Sequence, residues 1–349
     1  MDVKKENGAV DIAKLIMAIL VIIIHKPLFK SDFLGYMSGC VVCSIAVPFF
    51  FVASSYFFFL KIKNTDITNK KLFDFEKRLF KLYLIWTIIY IPCIFVKYNT
   101  DQYEMLNLKF LCGQVLLTVK NFFLSTSFVH FWYVNTLMLS VAVVFLLNKK
   151  FNYKTAAAIC IMITVVSRIV SALDPETLPI CRIYGMIPVV IRNSFEKGLF
   201  CTAGGLILSR VNVEKCGIVR SAALSIAALT ALIINGYFTY KSGSVPVKFP
   251  LFFLAAVSSV LLMSLCLNIN MKPSEKYVIV RKYSTLMYFS HLLLMSEGFR
   301  FIASKTGMEE FTESNLLIFI TTVLFSVSVS TIIIALSQKE KFKFLKNLY

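Results

Sequence analysis

The sequence predicts an all-α polytopic membrane protein with about ten transmembrane helices. Its 349 residues are 58% hydrophobic and only 16% charged, whereas soluble domains average about 45–50% apolar and about 25% charged residues. Apolar runs of about 20 residues, long enough to cross a bilayer, recur along the chain. Short basic runs separate them. These features together exclude a soluble globular protein.

The predicted spans cover residues 9–26, 36–60, 79–97, 128–147, 154–173, 192–209, 217–240, 249–268, 282–302 and 314–336. A further apolar segment near 108–125 is interrupted by Gly113, Gln114 and Lys120, which predicts a re-entrant or interfacial helix. The chain contains no long linker rich in Pro, Gly or Ser and no obvious repeat. Residues 1–349 are therefore predicted to form a single membrane domain.

The distribution of the 37 Lys and Arg residues orients these spans. With the N-terminus inside, twenty-three of them fall in inner segments and ten in outer segments, as the positive-inside rule requires. Both termini are therefore predicted to be cytoplasmic. The net charge of +18 is interpreted as topology signals and contacts with anionic lipid. The expected partner is the lipid bilayer, and no nucleic-acid partner is predicted.

The nine cysteines lie mostly within apolar segments, which argues against a disulfide framework and against a metal site. The sequence has no phosphate-binding loop, no cluster of metal ligands and no G-x-S-x-G motif. Any enzymatic chemistry would therefore depend on a histidine within the membrane, and no metal cofactor is predicted. The N-terminus lacks the pattern of a removable signal peptide.

The first span, from Asp11 to Pro27, carries polar side chains on one face. At 100° per residue, Asp11, Lys14 and His25 fall within an arc of about 60°. A Lys in the middle of a membrane raises the free energy of insertion by about 2.5–3.5 kcal/mol, and each Leu, Ile or Val of the span lowers it by about 0.3–0.6 kcal/mol. We expect the helix to insert with this stripe facing protein or water, away from lipid.

The stripe suggests two functional residues. An imidazole such as His25 suits general-base work on a hydroxyl, and the alternative is a neutral ring satisfied by a backbone carbonyl. Lys14 lies about 16 Å from His25 along the helix axis, too far for contact. Lys14 either pairs with Asp11 or holds an anionic group near the inner face.

The two other histidines have different sequence settings. His130 precedes Trp132 and Tyr133, which are typical of the aromatic belt at a membrane interface, so a structural role is favoured for this segment. His291 lies in the middle of a predicted span. For this residue, packing and lining of a site are equal alternatives.

Two arginines lie within or beside predicted spans. Arg192, next to Asn193, either pairs with Glu196 one helical turn later or binds a carboxylate or phosphate of a substrate. Arg168 poses the same choice, and the sequence shows no evident partner for it.

These segments together resemble acyltransferase family three, the multispan membrane O-acyltransferases of bacterial envelopes. That family opens with Asp-x-x-Arg, ten residues and His, and this chain has Asp11, Lys14 and His25 at the same spacing. In the segment 47–57, Ser55 stands where the family usually has Gly. Similar matches follow in order at 75–86, 130–138, 192–204 and 285–294.

The resemblance implies a ten-helix fold and transfer of an acetyl or similar acyl group from cytoplasmic acetyl-CoA to a hydroxyl of an envelope glycan. It also implies a location in the bacterial cytoplasmic membrane. Carried over, His25 is the catalytic base and Lys14 takes the place of the essential Arg. We expect a tunnel from the inner face to His25. The residues expected to bind the donor are Lys14, Asp11, Lys77, Arg78 and Lys81, and those expected at the acceptor are Arg192, Asn193, His130, Trp132 and His291.

The first sixty residues also resemble the membrane half of vancomycin-resistance serine racemases. In those proteins the membrane half has been assigned to serine uptake, so a serine-uptake domain is the alternative function. A role as an anchor for a partner enzyme would leave the ionisable stripe of the first span unexplained.

Overall fold

The computed structural model describes residues 7–63, 69–101, 108–173, 179–243, 248–298 and 314–349. Within these ranges the chain is helical and contains no strand. The predicted all-α class is confirmed for this part of the chain.

Twelve helices follow one another in these ranges. In the first half they are α1 Gly8–His25, α2 Asp32–Lys61, α3 Asn69–Asp101, α4 Leu108–Leu124, α5 Trp132–Lys150 and α6 Tyr153–Ala172. In the second half they are α7 Pro179–Met186, α8 189–210, α9 Ile218–Lys241, α10 Lys248–Asn268, α11 Glu275–Leu292 and α12 Asn315–Leu336. Short 3₁₀ segments cover Val129–Phe131, Val213–Cys216 and Glu340–Leu348.

Seven helical segments of the described ranges are long and apolar enough to cross a membrane. They are Gly8–His25, Asp32–Lys61, Cys112–Lys150, Tyr153–Ala172, Ile218–Lys241, Pro250–Asn268 and Asn315–Leu336. The chain therefore has the character of a multi-pass membrane protein. The other three predicted spans, 79–97, 192–209 and 282–302, overlap α3, α8 and α11, and residues 299–302 of the last one lie outside the described ranges. Their crossing of the membrane, and with it the count of ten, stays a prediction.

The orientation of α1 agrees with the predicted polar stripe. The Asn7 side chain caps its first turn by accepting a hydrogen bond from the Val10 amide at 3.0 Å. On the stripe side, Asp11 is only 2% exposed, whereas Ile12 and Ile16 on the opposite side are 37% and 50% exposed. The stripe thus faces protein, and the apolar back of the helix is left for lipid.

Helix α1 packs against α11 and α2, and α2 in turn packs closely against α8. The approach of α2 to α8 depends on Gly205, because a Cβ on that residue would lie 2.0 Å from the Ser55 hydroxyl. Ser55 is fully buried and donates to the Phe51 carbonyl at 2.7 Å. The side chain of Ser55 is therefore accommodated by a glycine on the facing helix.

Three π-helical segments interrupt the regular helices. They are Tyr36–Val41 in α2, Ser194–Gly198 in α8 and Leu293–Gly298, which follows α11. Such segments are frequent at functional sites, because they rotate the side chains that follow them. Lys197 of the site described next lies in the second of these segments, and His291 lies two residues before the third.

Candidate active site

A cavity of about 250 Å³ opens beside the C-terminal end of α1. Its described lining is mostly apolar, with a few polar side chains among aliphatic and aromatic ones, as in ordinary ligand sites. The lining residues that matter below are His25, Ser44, His130, Trp132, Lys197 and Tyr288. They come from six different helical segments of the chain, one residue from each. The cavity therefore exists only in the assembled fold.

Two of the three histidines of the chain, His25 and His130, line this cavity, and the third, His291, packs against both of them. The ring of His291 lies 5.2 Å from that of His25 and 5.3 Å from that of His130, measured between centroids. His130 and His291 are buried, and His25 is half-buried. Sequence alone left packing and site lining open for His291, and the structure places it next to the predicted base.

The position of the ring proton on His291 follows from its contacts. Its Nδ1 lies 2.8 Å from the carbonyl oxygen of Tyr288 and 3.3 Å from that of Met287. A carbonyl only accepts, so Nδ1 carries the hydrogen and donates it. Nε2 is then the nitrogen with the free lone pair. It is buried and makes no hydrogen bond within the described part of the chain.

His130 is a second buried ring in the same cluster. Neither of its nitrogens makes a hydrogen bond of normal geometry to the described residues, although the Phe289 backbone lies close to the ring. Its ring packs on Phe131 and Tyr90 at centroid distances of 4.0 and 4.9 Å, and Tyr288 donates its hydroxyl hydrogen to the His130 carbonyl. Buried polar atoms are normally paired, so orphaned ring nitrogens beside a cavity indicate where a ligand could bind.

Tyr133, assigned from the sequence to an interfacial aromatic belt, packs inside the protein, and its level relative to the membrane interface stays a prediction. That residue is only 8% exposed, and its hydroxyl lies 3.0 Å from the Ser54 hydroxyl. Trp132 lines the cavity. The aromatic run at the start of α5 therefore faces the protein interior, where it surrounds the histidine cluster.

Lys197 is a charged residue of the cavity wall that the sequence did not single out as functional. Its ammonium lies 4.8 Å above the centre of the Trp132 ring and 3.4 Å from the Asn193 side-chain oxygen. It stands in the π-helical segment of α8. A signal was present in the sequence, because a Lys inside an apolar span is a functional candidate by default.

The N-terminal end of α1 holds a separate cluster of charges. Arg281 on α11 donates from Nε and Nη2 to the two Asp11 oxygens, each at 2.8 Å. The sequence left a local pair of Asp11 with Lys14 as one of two alternatives. The structure gives Asp11 a two-bond ion pair with Arg281, which is 270 positions away. The Lys14 ammonium instead lies 5.1 Å above the Phe57 ring.

Of the three basic residues predicted on α3, Arg78 lies near this cluster and acts electrostatically on Lys14. Lys81 donates to the Asn347 side chain at 2.9 Å in the C-terminal segment. Lys77 is exposed and shares a helix face with Lys81, four residues on. The structure therefore brings Arg78, but not Lys81, toward Lys14.

Glu196 is held by groups other than the predicted Arg192. Tyr184 donates to it at 3.0 Å, and Arg168 forms an ion pair with it at 4.0 Å. Burial, together with the neighbouring Glu196 carboxylate, raises the pKa of the Tyr184 hydroxyl, which keeps it a donor. The buried Nε of Arg192 has no hydrogen bond within the described residues. Neither Arg192 nor Asn193 belongs to the cavity lining, so their role at the acceptor stays a prediction.

The arrangement suits proton transfer more than metal chemistry. Among the described residues, no group of three or more His, Cys, Asp or Glu side chains has the geometry of a metal site, the three histidines included. None of the nine cysteines, all of which lie within the described ranges, is joined to another in a disulfide. The site instead offers imidazoles with unpaired nitrogens next to an ammonium group.

Comparison with known proteins gives a family match over most of the chain. The family described as an acyltransferase domain matches residues 7–335. No solved structure matches.

Three curated relatives from enterococci match smaller parts. An amino-acid racemase of Enterococcus faecalis is 26% identical over 168 residues, which are 48% of this chain and 22% of the relative. A second amino-acid racemase of that organism is 25% identical over 159 residues, or 44% and 21% of the two chains. A serine/alanine racemase of Enterococcus gallinarum is 32% identical over 94 residues, or 25% and 13%. The chain thus spans about a fifth or less of the length of the curated relatives it matches.

Proposed function

The chain belongs to the acyltransferase domain family, and from that premise we propose that it is a membrane O-acyltransferase of the bacterial cytoplasmic membrane. It moves an acetyl or similar acyl group from cytoplasmic acyl-CoA to a hydroxyl of an envelope glycan or related acceptor. We further propose that ten helices cross the membrane with both termini in the cytoplasm. The basic residues of the inner segments support that orientation.

The observation that carries the proposal is the position of His25. This residue ends a regular helix, lines a cavity and lies 5.2 Å from a second imidazole. The donor residue Lys14 lies on the same helix, about 16 Å away. An extended pantetheine arm along α1 would connect these two points.

The reaction needs one base at the acceptor. His25 takes the proton of the acceptor hydroxyl while its oxygen attacks the thioester carbonyl. The tetrahedral intermediate then expels the CoA sulfur, which takes the proton back from the His25 imidazolium. His291, whose ring proton is directed to backbone carbonyls, packs beside His25 and helps to fix the orientation of its ring.

At the other end of α1, the cationic groups suit the phosphates of CoA. Lys14 and Arg78 supply positive charge there, and Asp11 is engaged by Arg281. Asp11 therefore acts as a positioning residue that fixes α1 against α11. Because Lys lacks the two-pronged geometry of Arg, Lys14 contributes mainly a point charge to donor binding.

The proposal is tested with the full chain in lipid nanodiscs. We expect acetyl-CoA to bind in calorimetry, and purified cell-wall glycan to stimulate release of free CoA thiol. His25→Ala should keep donor binding and lower thiol release about 10²–10⁴-fold, the usual contribution of a positioned base. Undiminished thiol release in His25→Ala would reject His25 as the base. If neither acetyl-CoA nor succinyl-CoA binds, the acyl-transfer proposal fails.

The second candidate is serine uptake, which the matches to racemases favour, one of them a serine/alanine racemase. In this case the cavity holds serine on its way across the membrane. Proteoliposomes without CoA should then accumulate radiolabelled L-serine. Uptake equal to that of protein-free liposomes would exclude this function.

A further inference from the structure

The cavity beside His25 has a closed apolar end and a half-buried polar end. Val21, Phe51 and Cys201 line it and are at most 2% exposed, which places them at the closed end. His25 and Ser44 line it as half-buried residues. We propose that the closed end is a pocket for the transferred group, and that this group is an uncharged, apolar acyl chain longer than acetyl. The inference rests on the proposed function and specifies its donor.

The closed end offers little to a polar ligand. Val21 and Phe51 have no hydrogen-bonding atom in their side chains, and the thiol of Cys201 is a weak donor. A sugar carries several hydroxyls, and each one costs free energy when it is buried without a partner. The carboxylate of a succinyl group would cost more still. A glycan acceptor therefore fits the half-buried end, and an apolar acyl chain fits the closed end.

An acyl group brings one polar atom, the thioester carbonyl oxygen, and His130 provides a match for it. This buried ring also lines the cavity, and an uncharged imidazole has one N–H to donate. Neither of its nitrogens has a hydrogen bond of normal geometry within the described residues. Tyr288, which is also buried in the lining, already donates its hydroxyl hydrogen to the His130 carbonyl. The buried part of the lining thus suits one acceptor oxygen followed by a hydrocarbon chain.

The closed end also lies on the donor side of His25. Val21 is one helical turn before His25, about 6 Å nearer to Lys14 along the axis of α1. At 100° per residue, the side chains of Val21 and His25 differ in direction by about 40°, so both belong to one face of the helix. An acyl group carried along α1 from the Lys14 end would reach Val21 before His25. The acceptor hydroxyl then meets His25 from the half-buried end.

The cavity is larger than an acetyl group requires. Its volume is about 250 Å³, and at about 30 Å³ for each water-sized group this gives room for about eight non-hydrogen atoms. An acetyl group fills less than half of that space. An acyl chain of about four to six carbons would fill the closed end and leave room for the acceptor hydroxyl beside His25.

Binding of a series of acyl donors tests the inference without any acceptor. The full chain in nanodiscs is titrated in a calorimeter with acetyl-, butanoyl-, hexanoyl- and succinyl-CoA. Butanoyl and succinyl groups have the same number of carbons and differ in the terminal carboxylate, so they form a matched pair. We expect butanoyl-CoA to bind about tenfold more tightly than acetyl-CoA, because two further methylene groups are buried. Succinyl-CoA should bind at least about tenfold more weakly than butanoyl-CoA.

Two variants of Val21 change the width of the pocket in opposite directions. Val21→Leu narrows it and should lower the preference for butanoyl-CoA over acetyl-CoA about fivefold. Val21→Ala widens it and should raise the affinity for hexanoyl-CoA relative to butanoyl-CoA. Ile16→Ala, on the side of α1 that is 50% exposed and outside the cavity lining, is the matched control and should keep the preference of the wild type. Thermal unfolding establishes that each variant is folded.

The outcomes separate this inference from the proposed function. Affinity that does not rise from acetyl-CoA to butanoyl-CoA, equal binding of succinyl-CoA and butanoyl-CoA, or wild-type preferences in both Val21 variants would each overturn the acyl pocket. The proposed function would still stand in these cases, because the donors bind. If none of the four donors binds, the proposed function fails and the acyl pocket fails with it.

Discussion

The two ends of helix α1 carry polar groups in opposite states. At the N-terminal end, Asp11 receives two hydrogen bonds of 2.8 Å from Arg281, so its charge is balanced within the protein. At the C-terminal end, His25 lines a cavity and packs near His130 and His291. Both ring nitrogens of His130 and the Nε2 of His291 are buried and have no hydrogen bond of normal geometry within the described residues.

This difference separates structural from functional polar groups on a single helix. A buried ion pair whose bonds are complete fixes the packing of two helices and leaves little for a ligand to gain. Buried groups that lack partners carry a cost which a ligand can remove. Breaking the ion pair should therefore lower mainly stability, whereas changes near the cavity should lower mainly activity.

The largest effect is expected from breaking the ion pair. Arg281→Gln leaves the Asp11 carboxylate buried with one neutral donor, which should cost about 3 kcal/mol of stability, the low end for a broken buried pair because Arg281 is partly exposed. Thermal unfolding in detergent measures this loss. The double variant Asp11→Asn with Arg281→Gln should recover part of it. Arg220→Gln, at an exposed arginine, should change the melting temperature little, and an equal loss there would contradict the assignment.

The next effect concerns the other end of the helix. His291→Asn keeps a donor to the Tyr288 carbonyl but removes the ring that packs beside His25, so the fold should persist while acyl transfer falls about 10²-fold because His25 loses its orientation. The rate of CoA thiol release and the melting temperature are measured together. If the variant is so unstable that the smaller folded fraction explains the lower rate of thiol release, His291 contributes only to packing.

A third change moves the cavity wall without touching a histidine. A Cβ at Gly198 would lie 2.0 Å from the Ser140 hydroxyl, so Gly198→Ala should cost about 1–3 kcal/mol through overpacking and displace the neighbouring Lys197. Adding Ser140→Ala should restore part of the melting temperature. Gly113→Ala, where a Cβ would meet nothing within 4 Å, is the control. If Gly198→Ala leaves stability unchanged, α5 and α8 do not pack tightly at the contact of Gly198 with Ser140.

A substitution at Lys14 tests donor binding at the N-terminal end of α1. Lys14→Ala should weaken acetyl-CoA binding about tenfold, equivalent to about 1.4 kcal/mol, because one cation facing the donor is lost. Lys14→Arg should bind at least as tightly as wild type, since a guanidinium can hold a phosphate through two bonds. Calorimetry gives both constants. Unchanged affinity in Lys14→Ala would place the donor away from this end of α1.

The smallest effect is a pH dependence at the same end. Glu76 on α3 precedes the predicted span 79–97, and burial raises its pKa to about 8 from an ordinary 4.5. The folded protein then holds a proton that the unfolded chain has released, so stability should fall as pH rises from about 4.5 to 8. Allowing for partial exposure, we expect a loss of about 1 kcal/mol. Glu76→Gln should flatten the melting temperature across that range, and an unchanged slope would contradict the assignment.

The sequence alone predicted the helical class, the membrane character and the side of α1 that faces protein. It did so because the length of an apolar run and the 3.6-residue period are local properties that each helix carries by itself. The spacing that places Lys14 and His25 on one face of α1 is also a local property of that helix. The family match over residues 7–335 agrees with the resemblance that began at these residues.

Only the tertiary structure decided which faces meet. Residues 25, 130 and 291 come together in one cluster, Asp11 takes Arg281 in place of nearby Lys14, and Lys197 joins the cavity wall. Helical periodicity states that a residue lies on a face but not which helix covers it. That choice depends on how α1, α2, α8 and α11 fit together, including the tight contact at Gly205. Contacts between residues more than a hundred positions apart are set by this packing, and no local pattern encodes them.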